Sequence, residues 1–533
     1  MPVSFNEFIR LCKRIAATSS VNEKTTIIAS FLTRIDKREW TPLIMLLAGK
    51  AVPETKEGGL GIGFSLVKKA MSSSVKPLLP LPTPTVEDVY QRLHEIADIR
   101  GPGSMEKKVM LLSTLFNSLS SGEERRWLAK IIFGELRIGV EEGHILNALA
   151  RASSVPPEYI RRAYMLRGSL DELVKLLNEE GLGIKDIKPV IFKPIRPMLA
   201  TPADSIAEAF SLIGGGDSAV EVKYDGARVQ IHVKNNHIKI FSRRLTDVTE
   251  SLPEINEVVR DTLADKVEEC ILEGEVVAVK DGRPLPFQEL MKRFRRIRDI
   301  DAVMREIPTQ IFFFEIIYID GRLLIDLPYA ERYTILEKIV SRDLLAERIV
   351  TSDIDEAEEF FNRALRAGHE GVMVKRLDAP YILGSRGKNW IKVKKAEYVD
   401  LVIIGAEWGH GRRRNWLSDY YLAAYNPDTG GYEIVGKTFK GLTDEEFQYM
   451  TNRLLKIVVR DEGYRVWVKP EIVVEVAFNE IQRSPKYRSG LALRLARVKR
   501  LREDKSPYEA TTIHELRRMY EKQFRYKGRA GDM

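Results

Sequence analysis

Only two cysteines, Cys12 and Cys270, occur in 533 residues. They form neither a disulfide framework nor a zinc-ligand spacing, as expected of a chain in a reducing cytosol. Long apolar runs are also missing: none approaches the ~20 residues that span a bilayer. The first ten residues carry Asn6, Glu7 and Arg10, so no secretory signal is expected there. Two nucleotide-loop patterns fail as well. Gly58-Gly59-Leu60-Gly61-Ile62-Gly63 does not complete G-x-G-x-x-G and lies among helical patterns, so it reads as a plain loop. Gly387-Lys388 does not complete G-x-x-x-x-G-K-[S/T], which disfavours P-loop chemistry. A cytoplasmic protein without a membrane span is the expectation.

With 44% hydrophobic and 30% charged residues, the chain is long enough for several buried cores, and its length suggests three or four domains. The net charge of +8 favours a polyanionic partner, nucleic acid before membrane. The periodicity changes twice. Up to about residue 195 it is helical: Phe5, Phe8, Ile9, Cys12 and Ile15 share one face, and Val86, Val89, Tyr90, Leu93, Ile96 and Ala97 follow a candidate cap at Thr85. A further helix is expected after Gly101-Pro102-Gly103-Ser104, and 111–119 and 127–136 read as core helices. Pro189, Pro194 and Pro197 mark a linker. From 196 to 399 strands alternate with helices. From 400 to 533 short strands dominate, separated by turns such as Asn426-Pro427-Asp428 and Gly430-Gly431, and suit a small barrel of the OB type before a terminal helix at 512–523. The expected class is multidomain α+β: a helical part, a mixed part and a β-barrel.

The most informative stretch is 220–228. Val220, Val222 and Tyr224 alternate onto one strand face and Glu221, Lys223 and Asp225 onto the other, with Gly226 allowing a turn. Lys223 serves as a covalent nucleophile only if a share of it is neutral, which burial and nearby cations favour and carboxylates oppose. The plainer reading is a surface lysine paired with Asp225. Other stretches carry charge in patterned places. Arg243 and Arg244 follow a strand through Ile238 and Ile240. Glu273 and Glu275 sit at i and i+2 of an apolar strand and want a cation or hydroxyl between them. Lys292, Arg293, Arg295, Arg296 and Arg298 surround Phe294 and are candidates for DNA-backbone contact. Phe314 lies in a buried-strand pattern over 311–318, and Glu370 precedes Gly371 at a strand start. Trp390, Lys392 and Lys394 share a strand face beyond Arg386, Arg412 to Arg414 lie in a hairpin, and 493–505 is strongly basic.

Taken in order, these stretches resemble the motifs of the ATP-dependent DNA ligases, in the covalent nucleotidyltransferase superfamily, closest to the archaeal replicative form. Lys223-Tyr224-Asp225-Gly226-Ala227-Arg228 resembles motif I, and Arg243, Glu275, Phe314, Glu370, Lys392 and the run to Lys505 resemble the motifs that follow. Gly134-Glu135-Leu136-Arg137-Ile138-Gly139 and Ile145 to Leu149 resemble the family's helical DNA-binding domain. The resemblance implies a helical DNA-binding domain at 1–195, an adenylation domain at 196–399 and an OB-fold domain at 400–533. It makes Lys223 the nucleophile and Asp225 its orienter. Glu221, Phe314 and Glu275 hold adenine and ribose; Arg228, Arg243, Arg386, Lys392 and Lys394 contact the nucleotide and its phosphate. Glu370, with Glu275, serves a divalent metal. Arg494, Arg497, Arg502, Asp504 and Lys505 orient departing pyrophosphate. ATP is the implied AMP donor and Mg2+ the metal, with Mn2+ as alternative. Nicked double-stranded DNA is the implied partner, a sliding clamp an expectation of the family, and the chain a monomer. An RNA ligase or capping enzyme, or a non-catalytic DNA clamp, are the competing readings.

Overall fold

The computed structural model describes residues 2–50, 60–72, 83–294, 300–395 and 397–523. Gly58, Gly59, Arg295, Arg296 and Arg298 lie outside them. Among the described residues no helix is long and apolar enough to cross a membrane.

The first helices form where the apolar spacing predicts. Phe5–Ala16 buries Phe5, Phe8, Ile9, Leu11, Cys12 and Ile15, and Ser4 and Glu7 close a capping box at its start. Val86–Asp98 begins the same way, with Thr85 and Asp88 exchanging hydrogen bonds. Ser104–Asn117 starts from Gly103 at φ 73°. The helix expected over 127–136 is Gly122–Ile132 and stops sooner. Gly134 turns left-handed at φ 66°, which ends the helical ladder. Leu136 and Ile138 are still buried, but from a loop. These helices share one apolar core that runs from Val3 to Ile184.

The stretch holding Pro189, Pro194 and Pro197 has no regular structure, yet it is bolted down. The Phe192 amide donates to His232 Nδ1 at 3.0 Å, and Gln230 accepts from the Ile195 amide at 2.8 Å. His232 is fully buried, and burial pushes its pKa down to about 3. Because Nδ1 accepts, the ring proton sits on Nε2 and points to Gln230 Oε1, 2.9 Å away. A second proton would face the Phe192 N–H. The unfolded histidine protonates near 6.5, so this anchor is fully present above about pH 6.5 and is lost as pH falls toward about 3. Thermal melting of the wild type and His232→Gln across that window checks this. The wild-type advantage is expected to shrink by up to about 1.4 kcal/mol per pH unit.

Two sheets follow. In the first the order is Leu199–Ala203, Arg386–Lys394, Gly371–Arg376, Ser218–Lys223 and Arg348–Thr351. In the second it is His237–Ser242, Ala227–Lys234, Glu269–Lys280, Thr309–Ile319 and Arg322–Leu323. Residues 224–226 are the crossing between them. Tyr224 stacks on Phe312 with ring centroids 4.1 Å apart, joining the two sheets below the crossing. Gly226 has no room for a side chain: a Cβ there would lie 2.3 Å from the Val276 carbonyl oxygen. Helices Ile206–Ile213 and Ile354–Arg366 pack on Val220, Val222 and Val374 of the first sheet.

The C-terminal part is β-rich, as expected. One antiparallel sheet runs Gly431–Thr438, Leu417–Asn426, Glu397–Trp408, Arg465–Phe478 and Val458–Asp461, and Arg497–Leu501 pairs with Arg465–Phe478. The helix Asp444–Leu455, absent from the sequence reading, covers it through Phe447, Met450 and Leu454. The terminal helix is Ile513–Gln523.

Candidate active site

Lys223 ends its strand with Val220 and Val222 packed behind it. Gly371 is its antiparallel neighbour, and Lys394 lies opposite Gly371 on the other side. Gly371 has φ 146°, and a Cβ there would lie 2.2 Å from the Val393 carbonyl oxygen, so only glycine fits this close approach. Glu370, just before it, donates its amide to the Lys223 carbonyl at 3.0 Å. That backbone bond sets the Glu370 carboxylate between two ammonium groups: Lys223 Nζ at 2.9 Å, and Lys394 Nζ in a short contact.

The electrostatics follow from this packing. Burial disfavours the Lys223 ammonium, but Glu370, Glu275 and Asp225 outweigh it, and its pKa lies above the ordinary lysine value. In this state the candidate nucleophile is charged. Burial disfavours the Glu370 carboxylate too, yet Lys223 and Lys394 hold it well below the usual carboxylate range. Glu275 behaves oppositely: burial pushes it up to about 7, with Glu370 and Asp225 adding to the rise. Lys392 is drawn down to about 8, by burial and then by Lys394, Arg386, Lys223 and Arg243. Burial and the Arg228 and Arg386 charges lower Arg243 as well. Cations outnumber acids here, and their mutual repulsion is relieved by a bound polyanion.

Arg228, expected to contact the nucleotide and its phosphate, has its guanidinium engaged by the protein. Its Nη1 donates to the Met198 carbonyl at 2.7 Å, and its Nη2 donates to Glu273 at 2.6 Å and to the Tyr381 hydroxyl at 3.1 Å. It is thus the cation that Glu273 wants. Glu273 and Glu275 do face one side, since Arg228 and Gln230 pair opposite Glu275 and Glu273 respectively. The Arg228 Nε and Glu273 Oε1 atoms are buried without a hydrogen-bond partner among the described residues.

Two residues before Lys223 on the same strand, Glu221 is buried. Glu221 is ion-paired to Lys375 at 2.6 Å and accepts a short hydrogen bond from the Tyr329 hydroxyl. The half-buried Phe314 ring meets Trp390 edge-on at 6.2 Å. Arg332, fully buried, grips Glu315 with two hydrogen bonds of 2.9 and 2.8 Å. Sequence reasoning gave no role to Lys375, Tyr329 or Arg332. The signal for a buried pair was present in Glu315, the one charge inside the apolar run 311–318.

The basic run 493–505 is not one unit. Leu491–Arg494 and Arg497–Leu501 are separate strands, broken where Leu495 turns left-handed at φ 57°. Arg494 reaches the crossing after the lysine strand: it lies 3.6 Å from Asp225 and 3.2 Å from Glu480, over the Phe287 ring. Arg497 approaches Asp204 at 3.8 Å, where Lys499 is closer at 2.9 Å. Arg502 and Lys505 both bind Asp400 on the strand Glu397–Trp408, and Asp504 accepts from Arg502, so they do not converge with Arg494 as expected. The other basic stretches divide between buried and exposed side chains. Arg293 is buried against Glu254 and Lys292 pairs with Glu289 at 2.7 Å. Arg413 is held by Asp444 and stacks over Phe447, while Arg412 and Arg414 are exposed.

Three stretches match family descriptions: "DNA ligase N terminus" at 72–150, "ATP dependent DNA ligase domain" at 197–394 and "ATP dependent DNA ligase C terminal region" at 413–505. DNA ligase 1 of Korarchaeum cryptofilum is 42% identical over 97% of this chain and 98% of its own length. The DNA ligases of Thermococcus onnurineus and Archaeoglobus fulgidus are each 40% identical, over 99% and 98% of this chain and 99% of their own lengths. The solved structure Pmar-Lig_PreS3 aligns with a TM-score of 0.60 over 92% of this chain and 98% of its own, at 17% identity, a likeness of fold.

Proposed function

Because this chain belongs to the ATP-dependent DNA ligase family, we propose that it seals nicks in double-stranded DNA through an AMP carried on Lys223. The observation that carries this reading is the Glu370 carboxylate held between Lys223 and Lys394 amid an excess of cations.

ATP binds with its base against Phe314 and its phosphates among Lys392, Lys394, Arg243 and Arg386. Lys223 Nζ then attacks the α-phosphorus. The Nζ–P bond forms, the bond to the β-phosphate oxygen breaks, pyrophosphate leaves and Nζ gives up its proton to solvent. The reaction needs a neutral amine, whereas Glu370 holds the charged one. A divalent cation suits the acids present: Glu370 and Glu275 would hold it, within the one or two carboxylates such an ion takes beside phosphates and water. Among the described residues no three metal-ligating side chains form a cage of their own, in keeping with that division. Bound there, the cation would supply charge neutralisation at the phosphates. Glu370 is the largest charge that keeps Lys223 protonated, so the Lys223–Glu370 pair governs how readily the amine becomes neutral. In the second step AMP passes from Nζ to a DNA 5′-phosphate; in the third, the 3′-hydroxyl attacks that phosphorus and AMP leaves. Residues 1–195 and 400–533 are the parts that grip the duplex around the adenylation domain at 196–399, with exposed Arg412 and Arg414 facing phosphates.

The test uses protein stripped of AMP by pyrophosphate, then given α-labelled ATP and magnesium. Label that stays on the denatured chain at neutral pH, and that passes to the 5′ end of a nicked DNA duplex, is expected. Label that passes only to RNA, or no label, overturns the reading. Arg494 has a separate prediction. It contacts Asp225 beside the lysine and is placed to meet charge on the departing pyrophosphate. Arg494→Ala is expected to slow self-labelling by about 10²–10³-fold while sealing of a pre-adenylated nick stays near the wild-type rate.

A further inference from the structure

The helix Pro157–Arg167 serves two sides. Ile160, Ala163 and Tyr164 pack into the core that the other helices share. Arg162, Met165 and Leu166, spaced three and four apart, lie on another face of the helix and meet the sheets. Arg162 donates to both carboxylate oxygens of Asp326, at 2.9 and 2.7 Å. Leu166 is fully buried with Ile195, Met198, Tyr381 and Trp390. Met165 sets its sulfur against Gly384, which has φ 61°: a Cβ added there would lie 2.3 Å from Sδ.

The backbone continues this contact. The last carbonyls of a helix find no partner within it, and that of Met165 accepts from the Arg196 amide at 3.0 Å. The Arg196 carbonyl accepts from the Gly384 amide at 3.2 Å, and the Ser385 carbonyl from the Leu199 amide at 2.9 Å. Leu199 is then the sheet partner of Arg386. The Arg386 side chain is exposed, so its aim depends on the backbone that carries it. Its charge is felt at Lys392 and Arg243, among which the phosphates were placed above.

We propose that the helix Pro157–Arg167 is a supporting wall of the nucleotide site, in which Met165 braces the Gly384 turn and so positions Arg386 on the triphosphate. The inference rests on the reading of this site as the one that binds ATP. Its consequence is that charging of Lys223, a step without DNA, depends on a helix of the part that grips DNA. Met165 touches no reacting atom and acts through Arg386 as a positioning residue.

Full-length wild type, Met165→Ala, Arg386→Ala and the double variant, stripped of AMP by pyrophosphate, are given α-labelled ATP and magnesium without DNA. The self-labelling rate is measured across ATP concentrations. Arg386→Ala removes a hydrogen bond to a charged group and is expected to raise KM for ATP by about 10–100-fold. Met165→Ala leaves the arginine present but poorly aimed, and is expected to raise KM by about tenfold. The double variant is expected to match Arg386→Ala, because aiming an absent side chain gains nothing. Losses that multiply in the double variant overturn the proposal, since Met165 then acts elsewhere in the fold. An unchanged KM in either single variant also overturns it. If Met165→Ala does not fold, a charge reversal takes its place. Arg162→Asp repels Asp326 and is expected to raise KM up to about fivefold, and adding Asp326→Arg is expected to restore it; no recovery overturns the proposal. No label on wild type removes the proposed function itself, and this inference with it, whereas a labelled wild type with multiplying losses removes this inference alone.

Discussion

Lys223→Ala is expected to carry no covalent label from α-labelled ATP, a loss of at least about four orders of magnitude, because the bond-forming atom is gone. Alanine also frees Glu370 from one of its two cations, so a second substitution is needed to separate chemistry from electrostatics. Lys223→Arg keeps a positive charge within reach of Glu370. A guanidinium stays protonated throughout the accessible pH range and offers no lone pair for attack. It is expected to be as inactive as alanine while preserving the fold. The third step provides the contrast, since it forms and breaks no bond to Lys223. Both variants are expected to seal nicked DNA that already bears a 5′ adenylate, within about tenfold of wild type by comparison with single-contact losses. Label on either variant would mean that another nucleophile carries AMP. Loss of sealing on the pre-adenylated substrate would mean that Lys223 holds DNA or metal as well.

How far such roles can be read in advance depends on whether the cause is local. The alternation around Lys223 is local: Val220, Val222 and Tyr224 must face a core, so Glu221, Lys223 and Asp225 face away from it. Gly226 is legible as a turn, but its task of carrying the chain from one sheet to another depends on Val276, far along the chain. The same limit explains Arg228. Its neighbours in sequence mark it as a nucleotide contact, whereas Glu273, Tyr381 and the Met198 carbonyl claim its guanidinium across long separations. Arg293 could have been recognised. Leu290 and Arg293 stand three apart on the helix Phe287–Arg293, and both are buried, so the arginine follows the apolar face. The run 493–505 looked continuous because basic composition hides backbone conformation, and nothing local signals that Leu495 turns left-handed.

Arg332 tests how much of the proposed base site depends on a residue that touches no reacting atom. Its guanidinium satisfies both oxygens of Glu315 and the carbonyls of Leu327 and Ala379, and it lies 5.6 and 5.9 Å from the ring centroids of Tyr329 and Tyr381. Arg332→Leu leaves a buried carboxylate without its counter-charge and two carbonyls without donors. The expected cost is about 3–5 kcal/mol, read as an earlier unfolding transition in denaturant. Arg332→Lys keeps the charge but cannot serve four acceptors from one point, so it falls between. The double substitution Glu315→Leu with Arg332→Leu removes both charges and is expected to recover much of the loss, since a buried ion pair and an apolar pair of similar size differ little in net stability. The functional consequence separates from the structural one. Glu315 follows Phe314 on the same strand, and Tyr329 starts the helix that carries Arg332. A stable double variant with a raised KM for ATP and an unchanged rate of nick sealing at saturation would show that the pair shapes the base pocket. If Arg332→Leu unfolds within about 1 kcal/mol of wild type, Glu315 has taken up a proton instead, and the pair contributes no more than a typical hydrogen bond.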